Sequence, residues 1–248
     1  AMGTDCSVRV FGSDGTAKDI MDMLSDIENK YLSWRIEGSD IANINENASE
    51  SEPVMPSKWT YSYLENVLDL ARKSSGAFDP TLGRVSQLWN LESDNPYIPS
   101  KSELTELLLE TGWEKINLGD GEVFLKDGVQ IELGAVGKGI GCDEARKMLE
   151  EADADAAVVS VGGSILTYGK KPDGKPWKIG IANPRNEDGE SYLGSLTIDG
   201  TCSISTSGDY EKYVIEDGVR YHHILDQKTG YPADCGLISV TIVCDDGW

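Results

Sequence analysis

The stretch Ile131-Glu132-Leu133-Gly134-Ala135-Val136-Gly137-Lys138-Gly139 divides this chain into two kinds of sequence. It runs from a strand into a glycine-rich turn that opens a helix reaching about Glu151. Upstream, helical spacing dominates. Ile20, Met23, Leu24, Ile27 and Tyr31 recur with a helical period over residues 16 to about 32, and Tyr61, Leu64, Val67, Leu68 and Ala71 share one face over residues 58–75. Residues 102–111 read as a third helix, with Ser102 as N-cap and Gly112 as its stop. Before these helices, Val8-Arg9-Val10-Phe11 reads as a first strand. Two short strands, 123–125 and 129–133, are predicted to pair through the turn signal Asp127-Gly128. Downstream of the helix the sequence reads as strands at 157–161, 177–181, 193–198, 202–205, 221–225 and 237–243. Helices gathered early and strands late predict an α+β fold rather than a doubly wound sheet.

The bulk numbers bound the function. The chain has 248 residues, long enough for one large or two small domains. Lys plus Arg is 22 and Asp plus Glu is 43, a formal charge of −21, which excludes nucleic acid as a partner because phosphate backbones require a basic face. An anionic ligand must therefore be met locally, by helix N-termini, a few cations or a divalent metal. No run approaches the ~20 apolar residues of a membrane span, and Ala1-Met2-Gly3-Thr4 does not read as a signal peptide. The five cysteines Cys6, Cys142, Cys202, Cys235 and Cys244 show no zinc spacing and read as buried thiols rather than a disulfide framework.

Chemistry-bearing side chains gather in a few turns. In the helix entry at Gly134, backbone N–H groups favour an anion, glycines admit a phosphate closely and Lys138 adds a cation; a plain tight turn explains the same residues. Both histidines stand together in Arg220-Tyr221-His222-His223-Ile224-Leu225-Asp226-Gln227-Lys228-Thr229-Gly230-Tyr231-Pro232. They follow the alternating run Tyr213, Ile215, Val219, Tyr221 and precede a Gly/Pro turn, which puts a proton-transfer group at the lip of a sheet. The alternative is one packed and one solvated histidine. Val161-Gly162-Gly163-Ser164 lacks the G-x-S-x-G frame of a nucleophile elbow and reads as a second close-approach turn. Ser205-Thr206-Ser207-Gly208-Asp209-Tyr210 is either a hydroxyl-rich turn or a ligand contact. Trp34 lies in a polar loop, where it either caps the core or awaits a planar partner.

In order along the chain, these pieces resemble the ApbE family of flavin transferases. The matching segments are Met2-Gly3-Thr4, residues 34–45 from Trp34 to Asn45, Gly76-Ala77-Phe78-Asp79-Pro80-Thr81-Leu82-Gly83, residues 131–143, Val161-Gly162-Gly163, Ile181-Ala182-Asn183-Pro184-Arg185, Thr206-Ser207-Gly208-Asp209-Tyr210-Glu211 and His223-Ile224-Leu225-Asp226 through Pro232. The resemblance implies a single domain over residues 1–248 with a mainly antiparallel sheet core. FAD would lie in a cleft between sub-regions, its diphosphate bridged by Mg²⁺. It implies transfer of FMN to a Thr or Ser hydroxyl of an acceptor protein with release of AMP. A Mg²⁺-dependent FAD pyrophosphatase and a catalytically incomplete FAD-binding protein are the alternatives. It further implies His223 and Asp226 as catalytic residues. The FAD contacts would be Met2 and Trp34 (sandwiching a ring), Asp79, Lys138, Asp143, Gly162, Gly163, Thr206, Ser207 and Gly208, with the Ala135 carbonyl as a metal ligand. Family habit implies the cell envelope, with a membrane tether outside these residues. Two departures stand out. Gln227 replaces the usual proline, and the sequence ends at Asp245-Asp246-Gly247-Trp248 where the family continues into a helix of metal ligands. The expectation is a domain lacking that helix, with weak Mg²⁺ binding and Asp245 and Asp246 as fallback ligands.

Overall fold

The computed structural model describes residues 1–91, 93–126, 128–186 and 189–248. They form two compact units: Ala1–Glu28, Gly134–Gly208 and Leu237–Trp248 make the first, and Asn29–Leu133 with Asp209–Gly236 the second. The fold is α+β, as the early helices and late strands predict.

The first unit is built on a five-stranded antiparallel sheet in the order β1-β4-β5-β8-β11, comprising β1 (Cys6–Phe11), β4 (Ala156–Val161), β5 (Ser164–Gly169), β8 (Cys202–Gly208) and β11 (Ser239–Cys244). The remaining two of its strands, β6 (Trp177–Ala182) and β7 (Tyr192–Ile198), pair with each other. Two helices, α1 (Thr16–Asp26) and α6 (Gly134–Glu151), pack together and onto the sheet. Their apolar stripes meet it in one core of Ile20, Leu24, Cys142, Ala145, Leu149, Val159, Val161 and Leu166. A helix interior rarely tolerates glycine, at about 1 kcal/mol each relative to alanine, yet α6 buries Gly137, Gly139 and Gly141. Close neighbours explain two of them. A Cβ on Gly139 would strike the carbonyl of Gly247, and one on Gly141 would lie 2.8 Å from Leu24 and 3.1 Å from the Met2 methyl.

The second unit holds α2 (Asp40–Asn47), α3 (Lys58–Lys73), α4 (Gly83–Trp89) and α5 (Lys101–Leu108), with the hairpins β2 (Ile116–Gly119)–β3 (Glu122–Leu125) and β9 (Tyr213–Glu216)–β10 (Val219–His222). One of its cores gathers Val85, Trp89 and Leu104, with Tyr221, Leu225 and Tyr231 against them. There the Trp89 Nε1–H donates to the Gly230 carbonyl at 2.8 Å.

Several expectations are corrected. The third helix starts earlier than expected: Ser100, not Ser102, is the N-cap, because it closes a reciprocal capping box with Glu103. Strand 123–125 pairs backwards with β2 rather than forwards with 129–133. The turn responsible is Asp120-Gly121, whose φ angles of 53° and 84° give the type I′ geometry that matches strand twist. Asp127, on which the other reading rested, lies outside the described residues. Residues 129–133 form no strand; instead the Asn45 side chain pairs with the Ile131 backbone in both directions, at 2.7 and 2.9 Å. The strand expected at 221–225 ends at His222. On α3 the buried aromatic is Tyr63 rather than Tyr61. All five cysteines are free thiols, but only Cys142 is buried, and that burial pushes its pKa up to about 12.

Candidate active site

The expected site residues fall into two groups, one in each unit. Met2, Ala135, Lys138, Asp143, Gly162, Gly163, Thr206, Ser207 and Gly208 belong to the first, and Trp34, Asp79, His223 and Asp226 to the second.

In the first unit the glycine pair forms the two-residue turn between β4 and β5, with Val161 opposite Ser164. Gly162 has φ 55°, and a Cβ there would collide with the Thr4 side chain. A Cβ on Gly163 would lie 2.7 Å from the Thr206 carbonyl, and the Thr206 N–H donates to the Gly163 carbonyl at 2.8 Å. Here glycine is required for close approach of backbone to backbone, so the structure joins Thr4, Gly162, Gly163 and Thr206 in one corner. The Thr206 hydroxyl pairs with that of Thr241 at 2.8 Å. Met2, held in a turn by its N–H to Glu28 at 2.7 Å, lays its thioether against α6.

Lys138 is half-buried and Ala135 exposed near the start of α6. Further along that helix, the Asp143 carboxylate accepts the Gly247 N–H at 2.6 Å. Burial pushes the Asp143 pKa up, and like charge from Asp246 adds to the rise. Among the described residues no group of three or more His, Cys, Asp or Glu side chains could hold a metal ion. That pattern fits Mg²⁺ only in its usual mode, held by one or two carboxylates and carbonyls plus substrate phosphates and water.

In the second unit His223 and Asp226 belong to one closed loop. The Asp226 carboxylate accepts the N–H groups of Lys228 and Thr229 at 2.8 and 2.9 Å, so one of its oxygens shapes the turn. His223 is exposed, and its Nδ1 lies 3.2 Å from the Lys212 carbonyl. Because a carbonyl only accepts, Nδ1 carries the hydrogen and Nε2 is the unprotonated nitrogen of the neutral ring. Asp79 accepts both the N–H and the hydroxyl of Thr81, ordering its loop. Trp34 presents a buried Nε1–H that finds no acceptor, and the Arg35 guanidinium lies 4.3 Å from its ring centre. An orphaned indole N–H beside a cation fits a planar ligand bearing acceptor atoms.

Residue-type reasoning overlooked Arg220. Its guanidinium lies 3.7 Å from the Tyr213 ring centre with one buried N–H unpaired. The available clue was its alternation with His222 on one face of β10, opposite Ile215 and Tyr213.

The first unit of this α+β protein thus holds a glycine-lined corner and a cation near a helix start, and the second holds an oriented imidazole. A family model described as the ApbE family matches residues 2–247, and the chain belongs to that family. It is 33% identical to the FAD:protein FMN transferase of Treponema pallidum, over 97% of this chain and 72% of that protein. It is 30% identical to that of Klebsiella pneumoniae, over 99% and 76% respectively. The crystal structure of the ApbE protein of Thermotoga maritima superposes with a TM-score of 0.89 at 36% identity, over 100% of this chain and 80% of that one. The flavin transferase ApbE of Vibrio cholerae gives 0.86 at 28% identity, with the same coverage, and has also been solved with one histidine replaced by glycine.

Proposed function

We propose that this protein transfers the FMN half of FAD to a Thr or Ser hydroxyl of an acceptor protein and releases AMP. The observation that carries the reading, within the family membership, is His223: its Nδ1–H is committed to the Lys212 carbonyl, so Nε2 is the basic nitrogen of the ring. The acceptor oxygen attacks the phosphorus of the FMN half, the P–O bond to the AMP phosphate breaks, and the hydroxyl proton passes to Nε2 of His223. The leaving oxygen departs with AMP. Phosphoryl transfer of this kind asks the protein for positioning and charge neutralisation more than covalent chemistry.

Lys138 supplies a local cation to the diphosphate, and Gly162 and Gly163 are assigned as FAD contacts by family resemblance. Trp34 and Met2 take the ring systems. Mg²⁺, when bound through the Ala135 carbonyl and the substrate's own phosphates, would neutralise charge on a chain of net −21. By family resemblance we also assign the protein to the cell envelope; among the described residues no helix is long and apolar enough to cross a membrane.

Exposure of His223 favours one further reading, hydrolysis of FAD with water in place of the acceptor. Incubation with FAD and Mg²⁺, with and without an acceptor peptide bearing Thr or Ser, separates the cases. A mass gain on the peptide together with AMP supports transfer. AMP formed equally without peptide supports hydrolysis, and no AMP under either condition ends the proposal.

A further inference from the structure

The proposed function employs His223; its neighbour His222 has no part in it, yet the two imidazoles are held in opposite ways. The Ile224 N–H donates to Nδ1 of His222 at 3.3 Å. A backbone N–H only donates, so this nitrogen must be unprotonated and the neutral ring carries its hydrogen on Nε2. His223 has the reverse arrangement, with hydrogen on Nδ1. Neighbouring histidines in one strand end thus hold complementary tautomers, each set by a backbone group that has no alternative role.

His222 sits where the two legs of a loop meet. The Ala233 N–H donates to the Ile224 carbonyl at 2.9 Å, Leu225 bridges Pro232, and the Asp226 N–H donates to the Tyr231 carbonyl at 2.8 Å. The tip is secured by the core, through Trp89 on Gly230 and the Tyr231 hydroxyl on the Pro99 carbonyl at 3.0 Å. The base has the imidazole of His222, which accepts from Ile224, the residue whose carbonyl in turn accepts the Ala233 N–H of the other leg. His223 lies between the clip and the first leg, and Asp226 two residues beyond Ile224.

We infer that His222 is a positioning residue, whose Nδ1-acceptor imidazole clips the 224–233 loop at its base and thereby sets where Nε2 of His223 stands. The inference rests on the reading of His223 as the base. It does not rest on contact between His222 and substrate. A displacement of about 1 Å in a catalytic group lowers turnover by as much as ~100-fold, so loss of the clip acts on kcat.

The test uses the whole chain. Long-range 1H–15N correlation spectra should show His222 with Nδ1 bare and Nε2 protonated, and His223 with the reverse. His222→Leu removes the acceptor at similar size, whereas His222→Asn places a side-chain oxygen close to the Nδ1 position. AMP release should fall roughly 10- to 100-fold in kcat for His222→Leu with KM for FAD within about twofold, and His222→Asn should recover most of the loss. Equal losses in both variants, an unchanged kcat in His222→Leu, or a protonated Nδ1 on His222 would each overturn the clip. If the unaltered protein releases no AMP, the proposed function fails instead. The tautomers of His222 still decide the clip on their own, and they do so equally if His222→Leu does not fold.

Discussion

In the proposed reaction the role of His223 turns on which ring nitrogen holds the hydrogen, and the Lys212 carbonyl makes that choice. Replacing His223 by Ala should therefore lower AMP release by about 10²–10⁴-fold while FAD binding, followed by flavin fluorescence, is retained. Loss of binding in proportion to turnover would point to a ligand contact rather than a base. His222 carries a different prediction. Burial lowers its pKa first of all; Asp209 opposes that shift and Arg220 adds to it. The unfolded chain takes up this proton near the ordinary imidazole value of about 6.5, and the folded chain only at lower pH. Between those two points the unfolded state binds more protons, so stability present above about pH 6.5 is lost as pH falls towards the folded value. Urea midpoints measured from about pH 7.5 to about pH 5 should fall for the natural chain, and His222→Asn should flatten that slope.

Helix α6 and the turns around it define the element scale. Its glycines would be destabilising in an isolated helix, and they persist where Gly247, Met2 and Leu24 come close. The same logic governs the β4–β5 turn. Gly163→Ala should destabilise the protein by roughly 1–3 kcal/mol, since the added methyl meets the Thr206 backbone oxygen and neither backbone can yield cheaply. A denaturation midpoint unchanged by that substitution would show the corner to be looser than its 2.8 Å hydrogen bond implies. Asn45 makes the comparable prediction in the second unit. It supplies the Ile131 backbone with the two hydrogen bonds a neighbouring strand would give, and Asn45→Ala leaves both groups of a buried residue unpaired. A loss of roughly 2–5 kcal/mol is expected from thermal or urea unfolding, at about 1–3 per orphaned group.

For the whole molecule the governing quantity is a charge of −21. FAD is an anion, so its approach is opposed by the long-range field even where, as proposed, Lys138 would favour it locally. Raising ionic strength from about 20 to about 200 mM at fixed Mg²⁺ should therefore increase kcat/KM for FAD by screening that repulsion. A decrease would mean that local cations, and not the net charge, control encounter.

The order of helices before strands, the amphipathic faces of α1 and α3, the Gly-rich entry to α6 and the turn that follows the two histidines were all legible along the chain, because each depends on neighbours within a few residues. What residues far apart must settle was not legible. Asp-Gly occurs at 120–121 and at 127–128, and both pass the same local rule; partner strands across β2–β3 chose the first. Two adjacent histidines look interchangeable in the alphabet. Only the carbonyl of Lys212, eleven residues before His223, and the Ile224 N–H at the base of the closing loop gave them opposite protons. Local propensity is a property of sequence, whereas a tautomer, a close approach or a strand register belongs to whichever backbone the fold brings alongside.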